Sequence, residues 1–283
     1  MEKIALITDS TSDLTEEIIK KYNVTVLPFR IIYKDREYLD GVDIKANEVY
    51  ENLGKEVPTS SLPPLKKMHE VYNDLQSQGY THVIAILLSS GLSGIYNALS
   101  LVSKDYPKIQ SFIFDSKSIS HGESVLVEES GKLITTQTPF DTIKEKIEEF
   151  RKKLEVYFVV DTLEYLKRGG RIGKVSGTIG ELLKIKPIIS IGDDGKYFTV
   201  DKVRGKKQSL KKIIEVGKSK LKENTRIILM DGYGKKEAEY VYEELKKYSE
   251  ELQQGLVEIL GSISPVSGVH SGPGLVGMVV FNN

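Results

Sequence analysis

The sequence predicts an α/β protein of two domains, an N-terminal parallel-sheet α/β/α domain over residues 1–153 and a C-terminal mixed-sheet α/β domain over 154–283. Three observations carry this reading. Short β-branched apolar runs alternate with amphipathic helical stretches as far as about residue 150, the pattern of a parallel sheet covered on both faces. Past residue 155 a hairpin signature breaks that alternation, with the turn Gly192-Asp193-Asp194-Gly195 between two apolar runs. A length of 283 residues is long for one domain and comfortable for two.

Lys3–Thr8 reads as a buried strand closed by Asp9-Ser10-Thr11-Ser12. Asp13 is expected to begin a helix, with Glu16 three residues on as in a capping box. Val24–Tyr33 reads as a second strand, bent or at an edge because of Pro28. Helices are expected near Asn47–Leu53 and Leu65–Gln78, separated by the rigid hydroxyl-bearing loop Val57–Pro64. The run His82–Leu88 is a strand buried on both faces, and it breaks into Ser89-Ser90-Gly91-Leu92-Ser93-Gly94 before a helix with Leu92, Ile95, Leu99 and Val102 on one side. Such a turn presents unpaired amides and the positive end of a helix, an environment that suits a carboxylate or a phosphate. Strand Ser111–Asp115 and helices Glu123–Thr135 and Phe140–Leu154 complete the first half.

In the second half, strand Val156–Asp161 leads to Thr162–Arg171, followed by an expected helix over Gly177–Leu183. The hairpin Pro187–Ile191 and Tyr197–Val203 comes next, then helix Gln208–Leu221, strand Arg226–Met230, helix Lys235–Lys247, and strands Val257–Ile263 and Val276–Phe281.

Lys+Arg and Asp+Glu both number 40, a balance that argues against nucleic-acid binding, which rests on phosphate neutralisation. The absence of cysteine removes disulfides, thiolate nucleophiles and sulfur ligands together. His69, His82, His121 and His270 lack metal-ligand spacing, so no metal site is expected. Apolar runs fall short of the ~18 residues that span a membrane, and Met1-Glu2-Lys3-Ile4 has no signal-peptide pattern. These point to a cytoplasmic protein without stable membrane anchoring.

Gly272-Pro273-Gly274-Leu275-Val276-Gly277 fits the dinucleotide pattern GxGxxG, but no helix follows to receive a pyrophosphate. There is no Walker A loop, and Gly91-Leu92-Ser93-Gly94-Ile95 is not a nucleophile elbow. His270 lies in Ser267–Gly274, a segment read as a loop too rich in glycine to serve packing and hence as a ligand contact. Asp9, at the carboxyl end of the first strand, is read as bonding the turn Ser10-Thr11-Ser12, with an acid/base role as the other possibility.

Five segments in this order resemble the DegV family of bacterial fatty-acid-binding proteins: Thr8–Leu14, Ser60-Ser61-Leu62-Pro63, Ser90–Asn97, Asp161–Leu166 with Gly169-Gly170-Arg171-Ile172, and His270–Gly274. The resemblance covers the whole chain. It implies a two-domain DegV-like fold that encloses an acyl chain, and a lipid-carrying subunit of a fatty acid kinase whose ATP-dependent partner does the chemistry. By that resemblance Ser60 and Ser93 hold the carboxylate, with His270, Ser61 and Asn97 placed beside them, while Leu62 stands where the family usually has glutamine. The ligand implied is a long-chain fatty acid such as palmitate, with no cofactor and no catalytic residue in this chain. Arg171, Lys174 and Arg204 are assigned to docking the kinase, and neutral hydroxyl donors at the carboxylate suit a carrier that also accepts the acyl phosphate. The rival reading is a phosphotransferase or hydrolase acting on a small anion through Asp9, Ser93 and His270.

Overall fold

The structure is a computed structural model that describes residues 2–178 and 185–282. Strand β1 (Ile4–Asp9) ends in a 3₁₀ turn, Ser10–Ser12, and helix α1 (Glu16–Tyr22) follows. Then come β2 (Val24–Leu27), β3 (Arg30–Ile32), β4 (Glu37–Leu39), α2 (Ala46–Asn52), β5 (Thr59–Ser61) and α3 (Leu65–Ser77). Strand β6 (His82–Leu87), α4 (Ile95–Ser103), β7 (Gln110–Asp115), α5 (His121–Thr135) and α6 (Phe140–Lys152) close the first half. The sheet β2-β1-β6-β7 is parallel throughout, as the alternation requires.

The second half opens with β8 (Leu154–Val159), α7 (Glu164–Arg168) and a 3₁₀ segment, Gly173–Thr178. It continues through β9 (Ile185–Ile191), β10 (Tyr197–Arg204), α8 (Lys206–Lys220), β11 (Thr225–Gly232) and α9 (Lys235–Leu252). Strand β12 (Leu256–Ser262), α10 (Pro265–Ser271) and β13 (Leu275–Asn282) complete it. The order β10-β9-β8-β13-β11-β12 is mixed: β11 and β12 run parallel and the other neighbours antiparallel.

Four local expectations are corrected. Asp13 does not begin a helix; it sits left-handed (φ 52°) after the 3₁₀ turn, and Thr15 caps α1 with its Oγ1 accepting the Ile18 N–H at 3.4 Å. Pro28 does more than bend a strand, because β2 and β3 belong to different sheets. The Val57–Pro64 loop contains β5, which joins β3 and β4 in a small antiparallel sheet, β4-β3-β5. His270 lies on α10, not in a loop: Pro265 takes the first helical turn, where its missing N–H costs nothing. Of the helix expected over Gly177–Leu183, only residues 177 and 178 fall within the description, and residues 179–183 lie outside the described residues.

Side-chain alternation on the second sheet decides what faces the first. On β8, Tyr157 and Val159 pack outward with α8 and α9, whereas Val156 and Phe158 turn inward. On β11 the same alternation sends Ile227 and Leu229 out, and Ile228 and Met230 in. The inward set shares one apolar cluster with Ala5, Ile7 and Leu87 of the first sheet, so a single interior runs between the two sheets.

Candidate functional site

The chain leaves β1 toward β2 on one side and β6 toward β7 on the other, which opens a crevice at the carboxyl ends of β1 and β6. Thr11, Leu88, Leu92 and Ser93 from these ends form one wall of a cavity between the sheets. Val156, Phe158, Met230, Leu275 and Gly277 of the second sheet form the facing wall. About 790 Å³ there is free of protein atoms, open solvent included, yet only about 80 Å³ is wide enough to centre a water molecule. The space is therefore narrow.

The serine-rich turn divides its labour. Ser89 Oγ donates to the Gly195 carbonyl at 2.7 Å, and Ser90 is held by Asp115 through its N–H (2.9 Å) and hydroxyl (2.5 Å). Gly91 packs on the β9–β10 turn so closely that a Cβ would come within 2.8 Å of the Asp194 carbonyl oxygen. Glycine is needed here for backbone approach, not for a phosphate. Ser93 alone of the three serines lines the cavity, its Oγ accepting the Ile95 N–H at 3.3 Å.

Ser60 on β5 reaches the same cavity, its Oγ 2.7 Å from His270 Nε2. Burial, with the Arg171 charge nearby, pushes the His270 pKa down to about 4, so the ring is neutral. Its Nδ1 is buried without a partner. A buried bare ring nitrogen is cheaper than a buried orphan N–H, which selects the tautomer with hydrogen on Nε2. That N–H donates to Ser60 Oγ and leaves the serine proton free to donate into the cavity. Ser61 does not line the cavity; its hydroxyl accepts from Arg30 Nη2 at 2.8 Å. Asn97 is exposed on α4 and is likewise not among the lining residues.

The assigned docking set is not one cluster. Arg171 lines the cavity, its Nε donating to the Leu92 carbonyl at 3.1 Å and its Nη1 to Gly169. Lys174 pairs with Asp194 at 2.8 Å on the exposed hairpin turn, and Arg204 is exposed at the end of β10. The site is consequently not built from neutral donors alone, because a guanidinium sits one residue's reach from Ser93. The glycines around His270 also prove to serve packing: a Cβ at Gly272 would overlap the Tyr165 ring, and one at Gly274 the Asp161 carboxylate.

Asp9 is fully buried and does hold its turn: Oδ1 accepts the Thr11 N–H (2.9 Å) and hydroxyl (2.7 Å), and Oδ2 accepts the Leu88 N–H (2.8 Å). No hydrogen bond joins Asp9, Ser93 and His270, whose partner is Ser60, so the triad of the rival reading is not assembled. Among the described residues no group of acidic and histidine side chains is arranged to hold a metal.

Burial raises several carboxyl groups here, Asp9 to about 6, Asp13 and Asp40 to about 7, and Glu123 well above its usual value. Between about pH 4 and 7 the folded state therefore holds protons that the unfolded chain has released, and each group lowers stability as pH rises, by about 1.4 kcal/mol per unit at most. His121 and His270, both pushed down to about 4 by burial, act in the opposite sense up to about pH 6.5. Four acids outweigh two histidines. The urea midpoint is expected to be higher at pH 5 than at pH 7.5, and a midpoint that climbs across this interval contradicts the assignment.

The parallel and mixed sheets thus bracket a narrow, largely apolar space with hydroxyls, an imidazole and a guanidinium on its wall. The chain belongs to the DegV family, whose sequence profile, described as an uncharacterised protein family, matches residues 3–283. A DegV domain-containing protein of Clostridium acetobutylicum is 53% identical over 282 residues, 99% of each chain. The fatty acid binding DegV family protein of Streptococcus agalactiae superposes with a TM-score of 0.91 at 30% identity over the full length of both chains. DegV of Bacillus subtilis, a fatty acid binding protein, gives 0.88 at 27% over the full length of both. A stearic acid-binding protein of Eubacterium ventriosum gives 0.86 at 28%, over 100% of this chain and 98% of that one.

Proposed function

We propose that this protein binds one long-chain fatty acid in the cavity between its sheets and presents the carboxyl group to a separate ATP-dependent kinase. The observation that carries the reading is the pairing of a narrow apolar space with Ser60, Ser93, His270 and Arg171 on its wall. The binding of fatty acids by relatives matched along their whole length supports it. Burying about fourteen methylenes at ~0.8 kcal/mol each is worth on the order of 10 kcal/mol gross. A neutral hydroxyl adds only about 1 kcal/mol net. Affinity thus comes from the cavity, and the polar end fixes which way the chain lies. Arg171 adds a charge that complements a carboxylate or an acyl phosphate, while Lys174 and Arg204 remain the outward-facing candidates for docking the kinase. A cytoplasmic location, where the partner finds ATP, goes with this reading. Among the described residues no helix is long and apolar enough to cross a membrane.

Mass spectrometry of lipid released from the purified protein is expected to find one fatty acid per chain. Ser93→Ala should weaken palmitate about three- to tenfold; a near-complete loss means that the carboxylate, not the chain, dominates. The protein incubated with ATP, magnesium and palmitate should form no acyl phosphate without a partner, and turnover by the pure chain would restore the enzyme reading.

A further inference from the structure

We propose that Asp13 and Asp40 are positioning residues for the carboxylate site, holding α10 in the place that seats His270 against Ser60. This rests on the fatty-acid reading above. Helix α10 has seven residues, too few to persist without tertiary ties, and it carries Val266, Ser267, His270 and Ser271 of the cavity wall. Its opening amides have no local cap, since the Ser264 hydroxyl is bonded to Ser267 Oγ at 2.8 Å. They are taken by two carboxylates from the far end of the chain: the Ser264 N–H donates to Asp13 Oδ1 and the Val266 N–H to Asp40 Oδ1, each at 2.8 Å. Pro265 between them has no N–H to satisfy.

The geometry of both acids is specific to this task. Asp13 adopts a left-handed conformation, which aspartate reaches more readily than most residues, and its second oxygen is fixed by the Ser120 hydroxyl. Asp40 is 2% exposed and its Oδ2 is buried without a partner, a cost that the bond from the Val266 N–H at the start of α10 offsets in part. Downstream, Gly268 lies against the Tyr50 ring of α2, where a Cβ would come within 2.8 Å of Cζ. Two residues further on, His270 meets Ser60. The helix is thus clamped at its start by two aspartates and read out at its end by the ligand-facing serine.

The test measures palmitate affinity and the imidazole ¹⁵N resonances of His270, the latter identified by their loss in His270→Ala. Asp40→Ala should weaken palmitate about tenfold and move the His270 resonances. Asp40→Asn, which keeps an Oδ1 acceptor, should recover affinity to within about threefold. In a His270→Ala background Asp40→Ala should cost nothing further. Equal costs in the two backgrounds, unmoved resonances, or no rescue by asparagine would each overturn the proposal. Should Asp40→Ala fail to fold, Asp13→Ala and Asp40→Ser make the same comparison. If wild-type protein binds no long-chain acid, the fatty-acid reading fails by itself, and the His270 resonances still decide whether the aspartates seat the ring.

Discussion

Gly277→Leu is expected to lower affinity for palmitate about a hundredfold while leaving the protein folded. Gly277 lies on β13 opposite Met230 of β11 and lines the cavity beside it. A Cβ there would overlap Sδ of Met230, a flexible side chain that also lines the cavity and can be pushed into it. Gly277 does not adopt a positive φ, and a strand interior gains from losing glycine, so the backbone should accept the change. The added side chain and the displaced thioether together deny space to about three or four methylenes of the ligand. At ~0.8 kcal/mol each, that is on the order of 3 kcal/mol, or about a hundredfold. Gly277→Ala should fall between, and both variants should shift preference toward shorter acids. Titrating saturated acids of increasing length, with a thermal melt of each variant, reads the effect. Undiminished palmitate binding by Gly277→Leu would mean that the acyl chain does not run past Met230.

The strand Val276–Phe281 was legible from its apolar run, as was the break in pattern that puts a mixed sheet after a parallel one. Which face of that strand looks into a cavity depends on register against β8 and β11, partners more than a hundred and about fifty residues away in the chain. Ser93 was legible from its strand–turn–helix context and His270 from its glycine-rich segment, whereas Ser60 joined them only through the family resemblance, because β5 is placed by its pairing with β3. Arg171 reads in one dimension with its basic neighbours, and only folding carries it to the Leu92 carbonyl on the cavity wall. Asp13 was misread for a related reason: its spacing to Glu16 suits a capping box, yet it caps a helix 251 residues further on. Local patterns can be read from sequence; non-local bonds of the same chemical kind cannot.

Gly169→Ala tests the histidine seat from the opposite side and should reverse sign with its neighbour. Gly169 ends α7 at φ −72°, a backbone any residue adopts, and alanine would ordinarily favour the helix by about 0.5–1 kcal/mol. Here the methyl group would overlap His270 Nδ1, and a ring bonded at Nε2 cannot swing aside without leaving Ser60. Overpacking of this kind costs about 1–3 kcal/mol. With His270 intact, Gly169→Ala should therefore lower the melting temperature and weaken palmitate by about tenfold or more. With His270→Ala already made, the same methyl enters vacated space, so it should raise the melting temperature and leave affinity where His270→Ala put it. A methyl that weakens binding equally in both backgrounds would detach Gly169 from His270 and the Ser60–His270 bond from ligand recognition. The reversal would tie α7, α10 and β5, three elements from distant parts of the chain, to one hydrogen bond at the polar end of the cavity.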